Sequence, residues 1–195
     1  MLNLSRKRIA VTGGLACGKT TVCQIFRDLG AHVVNADEIV HQLLTPQTEV
    51  GKQVIALFGE KVSTGSKIDR NKIALRVFRE PEMLKKLEAV VHPAVRQKIE
   101  EEKEKAERLD KLFIVEVPLL YEAKMDSDFD EVIVVACEQA SAQKRFERSA
   151  YEFKLRSDQQ MKLEDKISKA HHVIRNDGSL IQLKSEVQKL YNQLI

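Results

Sequence analysis

The sequence predicts an α/β fold of three layers, in which a five-stranded parallel sheet is flanked by helices. Three observations lead there. Five short β-branched runs recur along the chain, longer amphipathic segments separate them, and the runs lack the apolar/polar alternation of a sheet with one wet face. Strands buried on both faces read as near-continuous apolar runs, and strands spaced by helices form right-handed βαβ units. At 195 residues and 43% apolar, the chain can bury a core and still carry a modest inserted subdomain.

Taken in order, the strands are residues 8–12 (RIAVT), 31–35 (AHVVN), 112–117 (LFIVEV), 131–136 (EVIVVA) and 172–175 (HVIR). Helical periodicity covers 19–29, 36–44, 71–79, 81–90, 93–109, 140–148, 157–169 and 179–194. The spacing is uneven. Residues 36–111 lie between the second and third strands, far more than a crossover of about a dozen residues needs. The expected division is therefore a core of about 1–44 and 111–195, a helical insertion of about 45–110, and a helical lid of about 140–160. The mixed-sign run at 100–111 (EEEKEKAERLDK) reads as the solvated face of a long helix.

A net charge of +3 is too mild to argue for a nucleic-acid partner, though it suits an enzyme of polyanionic nucleotides. No run approaches 18 apolar residues, so no membrane span is expected. Three cysteines, Cys17, Cys23 and Cys137, are odd in number and lack metal-ligand spacing, which suits reduced thiols in the cytoplasm. Oxidation of Cys17 beside a bound phosphate is the sharper reading of that residue; a small side chain filling a tight loop is the plainer one.

The chemistry begins where the first strand ends. Gly13-Gly14-Leu15-Ala16-Cys17-Gly18-Lys19-Thr20 matches G-x-x-x-x-G-K-[ST]. Glycines let main-chain N–H groups close on phosphate oxygens, and the helix that follows turns its positive dipole end toward the same anion. Lys19 is expected on the β- and γ-phosphates of ATP, and the Thr20 hydroxyl on Mg²⁺. A strand directly before the motif and an amphipathic helix directly after it make the match specific, and place the fold among P-loop nucleoside-triphosphate-hydrolase-like folds.

Ligands of open α/β sheets sit beyond the carboxyl ends of the strands. Glu116 ends the third strand, where an acidic partner for magnesium belongs. Asp37 follows the second strand, placed either to take the proton of an acceptor hydroxyl or to cap the helix behind it. Lys144, Arg145, Arg148, Lys154 and Arg156 cluster after the fourth strand, as a cationic lid for a transferring phosphoryl group requires. No Asn-Lys-x-Asp guanine-reading motif follows a later strand, and Asn176-Asp177-Gly178 suits either an adenine contact or a plain turn.

These residues resemble the dephospho-CoA kinase family almost end to end. The family's T-G-G-x-x-x-G-K-[ST] is TGGLACGKT at 12–20, and its D-A-D is Asn35-Ala36-Asp37. Its F-G and D-R elements are Phe58-Gly59 and Asp69-Arg70, and its His-Pro is His92-Pro93. Its P-L-L-x-E spans Pro118, Leu119, Leu120 and Glu122, and its V-I-x-N-x-G closes at Asn176 and Gly178. The resemblance implies transfer of the γ-phosphoryl group of ATP to the ribose 3′-hydroxyl of dephospho-CoA. It implies that Asp37, Lys19 and Arg145 carry the chemistry, that 13–20 with Thr21, Arg148 and Asn176 hold ATP, and that Thr20 and Glu116 hold Mg²⁺. Asp37, Arg70, His92, Pro118, Leu119, Leu120 and Glu122 fall on the acceptor side, and a monomer is expected. Asn35 replaces the family's first aspartate, Ser149 stands where the second lid arginine is usual, and His171-His172 replaces an Ala-Asp pair. Another nucleotide-type P-loop kinase, and a nucleotide-binding regulatory module without turnover, are the competing readings.

Overall fold

A computed structural model describes residues 7–146 and 149–195. The chain divides into two compact units, residues 1–34 with 103–195, and residues 35–102.

The first unit contains the sheet. Its strands are β1 (Arg8–Gly13), β2 (His32–Asn35, whose last residue passes to the second unit), β3 (Phe113–Glu116), β4 (Glu131–Ala136) and β5 (His172–Arg175), in the order β2-β3-β1-β4-β5. Register is set by Arg8 opposite Phe113, Gly13 opposite Val135 and Ala136 opposite Arg175, all in parallel pairings. The expected five-stranded parallel sheet is present, with strand ends within a residue of those read from sequence. From β1 the chain goes outward to β2, returns to β3, and then crosses to β4 and β5 on the other side. The crevice at this reversal, beyond the carboxyl end of β1, is where such sheets take ligands.

Both faces are covered, which is why the strands do not alternate. Ile9, Val11, Ile114, Ile133, Val135 and Ile174 pack with Val22 and Phe26 of α1 (Lys19–Asp28) and with Leu183, Val187 and Leu190 of α9 (Leu180–Leu194). The intervening residues Ala10, Phe113, Val115 and Val134 are fully buried as well. Each of the Val, Ile, Leu and Phe side chains contributes about 1.5–3 kcal/mol of burial, so a polar residue at any of these positions opposes the fold. A Ser179–Gln182 capping box starts α9.

The second unit holds α2 (Ala36–Leu43), α3 (Glu49–Phe58), a 3-10 turn (Glu60–Val62), α4 (Arg70–Arg79) and most of α5 (Pro81–Arg108). Sequence periodicity gives no element at 49–58, because Gly51 and three β-branched residues weaken the helical signal. Thr48 nevertheless caps α3 by accepting from Gly51 N–H, and a Cβ at Gly51 would lie 1.8 Å from the Thr45 carbonyl oxygen, so this helix requires its glycine. Two helices are expected at 81–90 and 93–109, but one runs through Pro93. The loss of one hydrogen bond at Pro93 is offset by an uninterrupted buried stripe, Val91, Val95 and Ile99, at helical spacing.

After β4 come α6 (Gln139–Arg145), α7 (Ala150–Ser157) and α8 (Leu163–Ser168). The helix expected at 157–169 is broken. Ser149 caps an earlier helix, α7, and residues 158–162 form a non-helical connection whose Met161 N–H donates to Glu122 Oε1 at 2.8 Å. Among the described residues no helix is long and apolar enough to cross a membrane.

Candidate active site

The loop after β1 is shaped by contacts that its motif positions alone can make. A Cβ at Gly13 would fall 2.1 Å from the Val135 carbonyl oxygen, and Gly14 N–H donates to that same oxygen at 3.3 Å. Gly18 has φ +91°, and a Cβ there would meet the Asn176 amide nitrogen at 2.3 Å. That close approach has a purpose: Asn176 Nδ2 donates to the Cys17 carbonyl oxygen at 2.9 Å, bracing the loop from beneath. Asn176 N–H in turn donates to Ala136 O at 2.8 Å, and Arg145 donates to Asn176 O at 2.8 Å. The Asn176 side chain is thus turned under the phosphate loop, and Arg145 is tied to the same residue.

Gly18 caps α1 with no side-chain hydrogen bond, so the first amides of that helix remain for a ligand. Lys19 folds back over its own loop, donating to Gly14 O at 2.8 Å and Gly13 O at 3.4 Å. Burial pushes its ammonium below the ordinary lysine range, and the positive charge of Lys166 acts in the same direction. A half-buried cation whose described hydrogen bonds go to neutral carbonyls favours an incoming anion.

Thr20 Oγ1 donates to Glu116 Oε1 at 3.0 Å. The two residues assigned to magnesium from sequence are therefore brought together across the gap between α1 and β3. The pair fits a hard cation: hydroxyl and carboxylate oxygens side by side, with phosphate oxygens and water to supply the remaining ligands. Glu116 is buried at 3% exposure. Burial, followed by the nearby Glu116 charge, raises the Cys23 thiol far above the ordinary cysteine range, which leaves Cys23 protonated.

The segment after β3 has a different character. Pro118 O accepts from Thr12 Oγ1 at 3.2 Å and from Lys166 Nζ at 3.4 Å. Leu120 is buried, Leu119 is exposed, and Glu122 forms an ion pair with Lys166 at 2.8 Å. Glu122, expected on the acceptor side, thus anchors α8 and the 158–162 connection with one carboxylate oxygen. Lys166, fully buried, escaped the sequence reading because a lysine inside an amphipathic segment carries no local sign of burial. Thr12, also fully buried, shows the same limitation. Thr21 is solvent-exposed on α1.

Asp37, Arg70 and His92 lie in the second unit. Asp37 sits exposed in the first turn of α2, directly after the carboxyl end of β2. Its carboxylate is not the cap: Asn35 Oδ1 accepts from Asp37 N–H at 2.8 Å and Glu38 N–H at 3.3 Å. The capping alternative for Asp37 is corrected accordingly, and the asparagine in place of the family's aspartate has a structural task. Arg70 opens α4 behind the capping Asp69, and His92 is half-buried within α5. Arg148 lies outside the described residues.

Comparison with known proteins agrees with this geometry. Residues 7–182 match the family model of dephospho-CoA kinase. A dephospho-CoA kinase of Protochlamydia amoebophila is 37% identical over 198 residues, covering 98% of each chain, and that of Chlamydia pneumoniae is 37% identical over 193 residues, covering 96% of each. A crystal structure from Thermus thermophilus superposes with a TM-score of 0.84 at 31% identity, covering 97% of this chain and 98% of that one. The dephospho-CoA kinase of Campylobacter jejuni gives 0.71 at 30% identity, covering 96% of each. A shikimate kinase from Acinetobacter baumannii, 14% identical with a TM-score of 0.54 over 97% of this chain and 93% of that one, shares the fold. A glycine-shaped phosphate loop, a Thr20–Glu116 pair and sequence identity along nearly the whole length place this chain in the dephospho-CoA kinase family.

Proposed function

We propose that this protein catalyses ATP-dependent phosphorylation of the ribose 3′-hydroxyl of dephospho-CoA, giving CoA, the last step of coenzyme A biosynthesis, in the cytoplasm. The observation that carries the reading is family identity over nearly the full chain, joined to a phosphate loop whose lysine has only carbonyl partners among its described hydrogen bonds.

In this reading the loop 13–20 and Thr21 take the phosphates, and Lys19 leaves Gly14 O for the β- and γ-oxygens. Thr20 and Glu116 would hold Mg²⁺, which would supply charge neutralisation to the phosphates. Arg145 and Arg148 serve the transferring group from the lid, and Asn176 serves ATP by holding the Cys17 carbonyl beneath the loop. Asp37 accepts the proton of the 3′-hydroxyl as its oxygen bonds to the γ-phosphorus and the bond to the β–γ bridging oxygen breaks, releasing ADP. Arg70, His92, Pro118, Leu119 and Leu120 serve the acceptor. Glu122 serves it indirectly, by holding the 118–122 segment through Lys166.

The test is direct. Purified protein with ATP and Mg²⁺ is offered dephospho-CoA, adenosine monophosphate and adenosine, and products are read by mass spectrometry. A phosphoryl group added to dephospho-CoA alone is expected. Phosphorylation of adenosine monophosphate with dephospho-CoA untouched refutes the assignment.

A further inference from the structure

Two thiols meet at the phosphate loop. Cys17 is a loop residue between Ala16 (φ 55°) and Gly18 (φ 91°), and Cys137 directly follows β4. Their sulfur atoms lie 2.7 Å apart although 120 positions separate them in the chain, and Cys137 Sγ donates to Cys17 Sγ. Both are buried, and both line a cavity of about 750 Å³ with Gly14, Phe153 and Leu163, which gives a small oxidant a route to them. The third cysteine, Cys23, is packed in the core under Glu116.

We propose that Cys17 and Cys137 form a reversible intrachain disulfide, and that its formation withdraws the phosphate loop from nucleotide binding. The oxidant is a peroxide. Peroxide converts the Cys17 thiol to a sulfenic acid, releasing one water. The Cys137 sulfur then attacks the Cys17 sulfur, the S–O bond breaks and a second water leaves with the Cys137 proton. Two thiols are oxidised and one peroxide is reduced to two waters.

Closing a covalent S–S bond draws the sulfurs in by about 0.7 Å, to about 2.05 Å. The Cys17 main chain is flanked by two left-handed residues, and its carbonyl is held by Asn176. The displacement therefore falls on the amides that must meet phosphate oxygens. Loss of one main-chain hydrogen bond to a phosphate oxygen is enough for a loss of ATP affinity of about tenfold or more, which is the loss expected. Burial and the bond to Cys17 hold the Cys137 thiol up at about 12, so Cys137 keeps the proton it donates and the Cys17 sulfur is the one placed to meet peroxide first.

The loss of affinity rests on the loop being the nucleotide site; the cross-link does not. Full-length protein is treated with hydrogen peroxide, its free thiols are blocked with N-ethylmaleimide in denaturant, and the digest is analysed by mass spectrometry. ATP affinity is titrated in parallel with a fluorescent ATP analogue. Expected are a peptide joining Cys17 to Cys137, alkylated Cys23, a fall in affinity that follows the cross-linked fraction, and recovery with dithiothreitol. Cys137→Ala should give no cross-link and keep its affinity under the same treatment. No Cys17–Cys137 peptide, a cross-link to Cys23, or an equal loss of affinity in Cys137→Ala overturns the proposal. Reduced protein that binds no ATP overturns the functional reading and the affinity claim together, while the peptide map still decides the thiol pairing.

Discussion

Replacing Glu122 with alanine is expected to destabilise the protein by about 3 kcal/mol, the lower end of the range of about 3–5 kcal/mol for removing one partner of a buried ion pair. The Lys166 side chain is 0% exposed, and its only ion-pair partner among the described residues is Glu122 Oε1 at 2.8 Å. Pro118 O, at 3.4 Å, is a weak neutral substitute. Alanine at 122 therefore strands a buried ammonium and also removes the acceptor of Met161 N–H. The lower end applies because the Glu122 side chain is itself 18% exposed, so water moderates the pair. For a chain of this size about 3 kcal/mol corresponds to a fall in Tm of roughly 6–12 °C. Urea denaturation followed by circular dichroism measures it, with Glu122→Leu/Lys166→Met as the counterpart. Removing both charges should recover most of the loss, since an apolar pair of similar volume is often neutral relative to a buried ion pair. A single variant within about 1 kcal/mol of wild type, or a double variant as unstable as the single, refutes the view that this pair holds the 118–122 segment.

Asp37→Ala should lower turnover by about two or more powers of ten while leaving ATP affinity nearly intact, and near-normal turnover removes it from the mechanism. Lys19→Ala should impair ATP use with any acceptor, so a defect confined to one acceptor, seen in steady-state kinetics, contradicts its assignment to the phosphates. Thr20→Val should raise the Mg²⁺ concentration needed for half-maximal rate, and an unchanged metal titration argues against the Thr20–Glu116 site. Burial works to raise the Glu131 carboxyl, but hydrogen bonds from Lys7 and the His172 ring outweigh it and hold it below the ordinary glutamate value. Its contribution is thus present above the unfolded-state pKa, about 4.3, and is lost as pH falls through the lower folded value. Glu131→Gln should be less stable than wild type at neutral pH, and urea midpoints of the two should converge toward pH 3; parallel midpoints would contradict the sign.

Much of the sheet was legible because its signal is local. Buried β-branched runs announce β1, β4 and β5 without help from distant residues, and a glycine motif between a strand and a helix announces the loop. The helices that escaped are those whose start depends on a cap more than on periodicity. Thr48 and Ser149 begin α3 and α7, each by accepting one main-chain N–H. The bridged Pro93 illustrates the reverse error, a strong local breaker overruled by an apolar stripe that continues on both sides of it.

The site divides along the same line. Lys19, Thr20 and Gly13 were readable because a phosphate loop needs those residue types at that spacing. What the spacing does not carry is the identity of the groups that touch them from elsewhere in the chain. Gly18 must be glycine because Asn176 stands where its Cβ would go, and Asn176 stands there because it holds the Cys17 carbonyl. The same residue receives Arg145 on its own carbonyl, so one asparagine beyond β5 joins the loop after β1 to the helix after β4. Asn176→Ala would therefore act on the loop's shape before it acted on any contact to a base. It should weaken binding of inorganic triphosphate, which has no adenine, about as much as binding of ATP, and calorimetric titration of the two ligands decides it. A loss confined to ATP would return Asn176 to a role in reading the base.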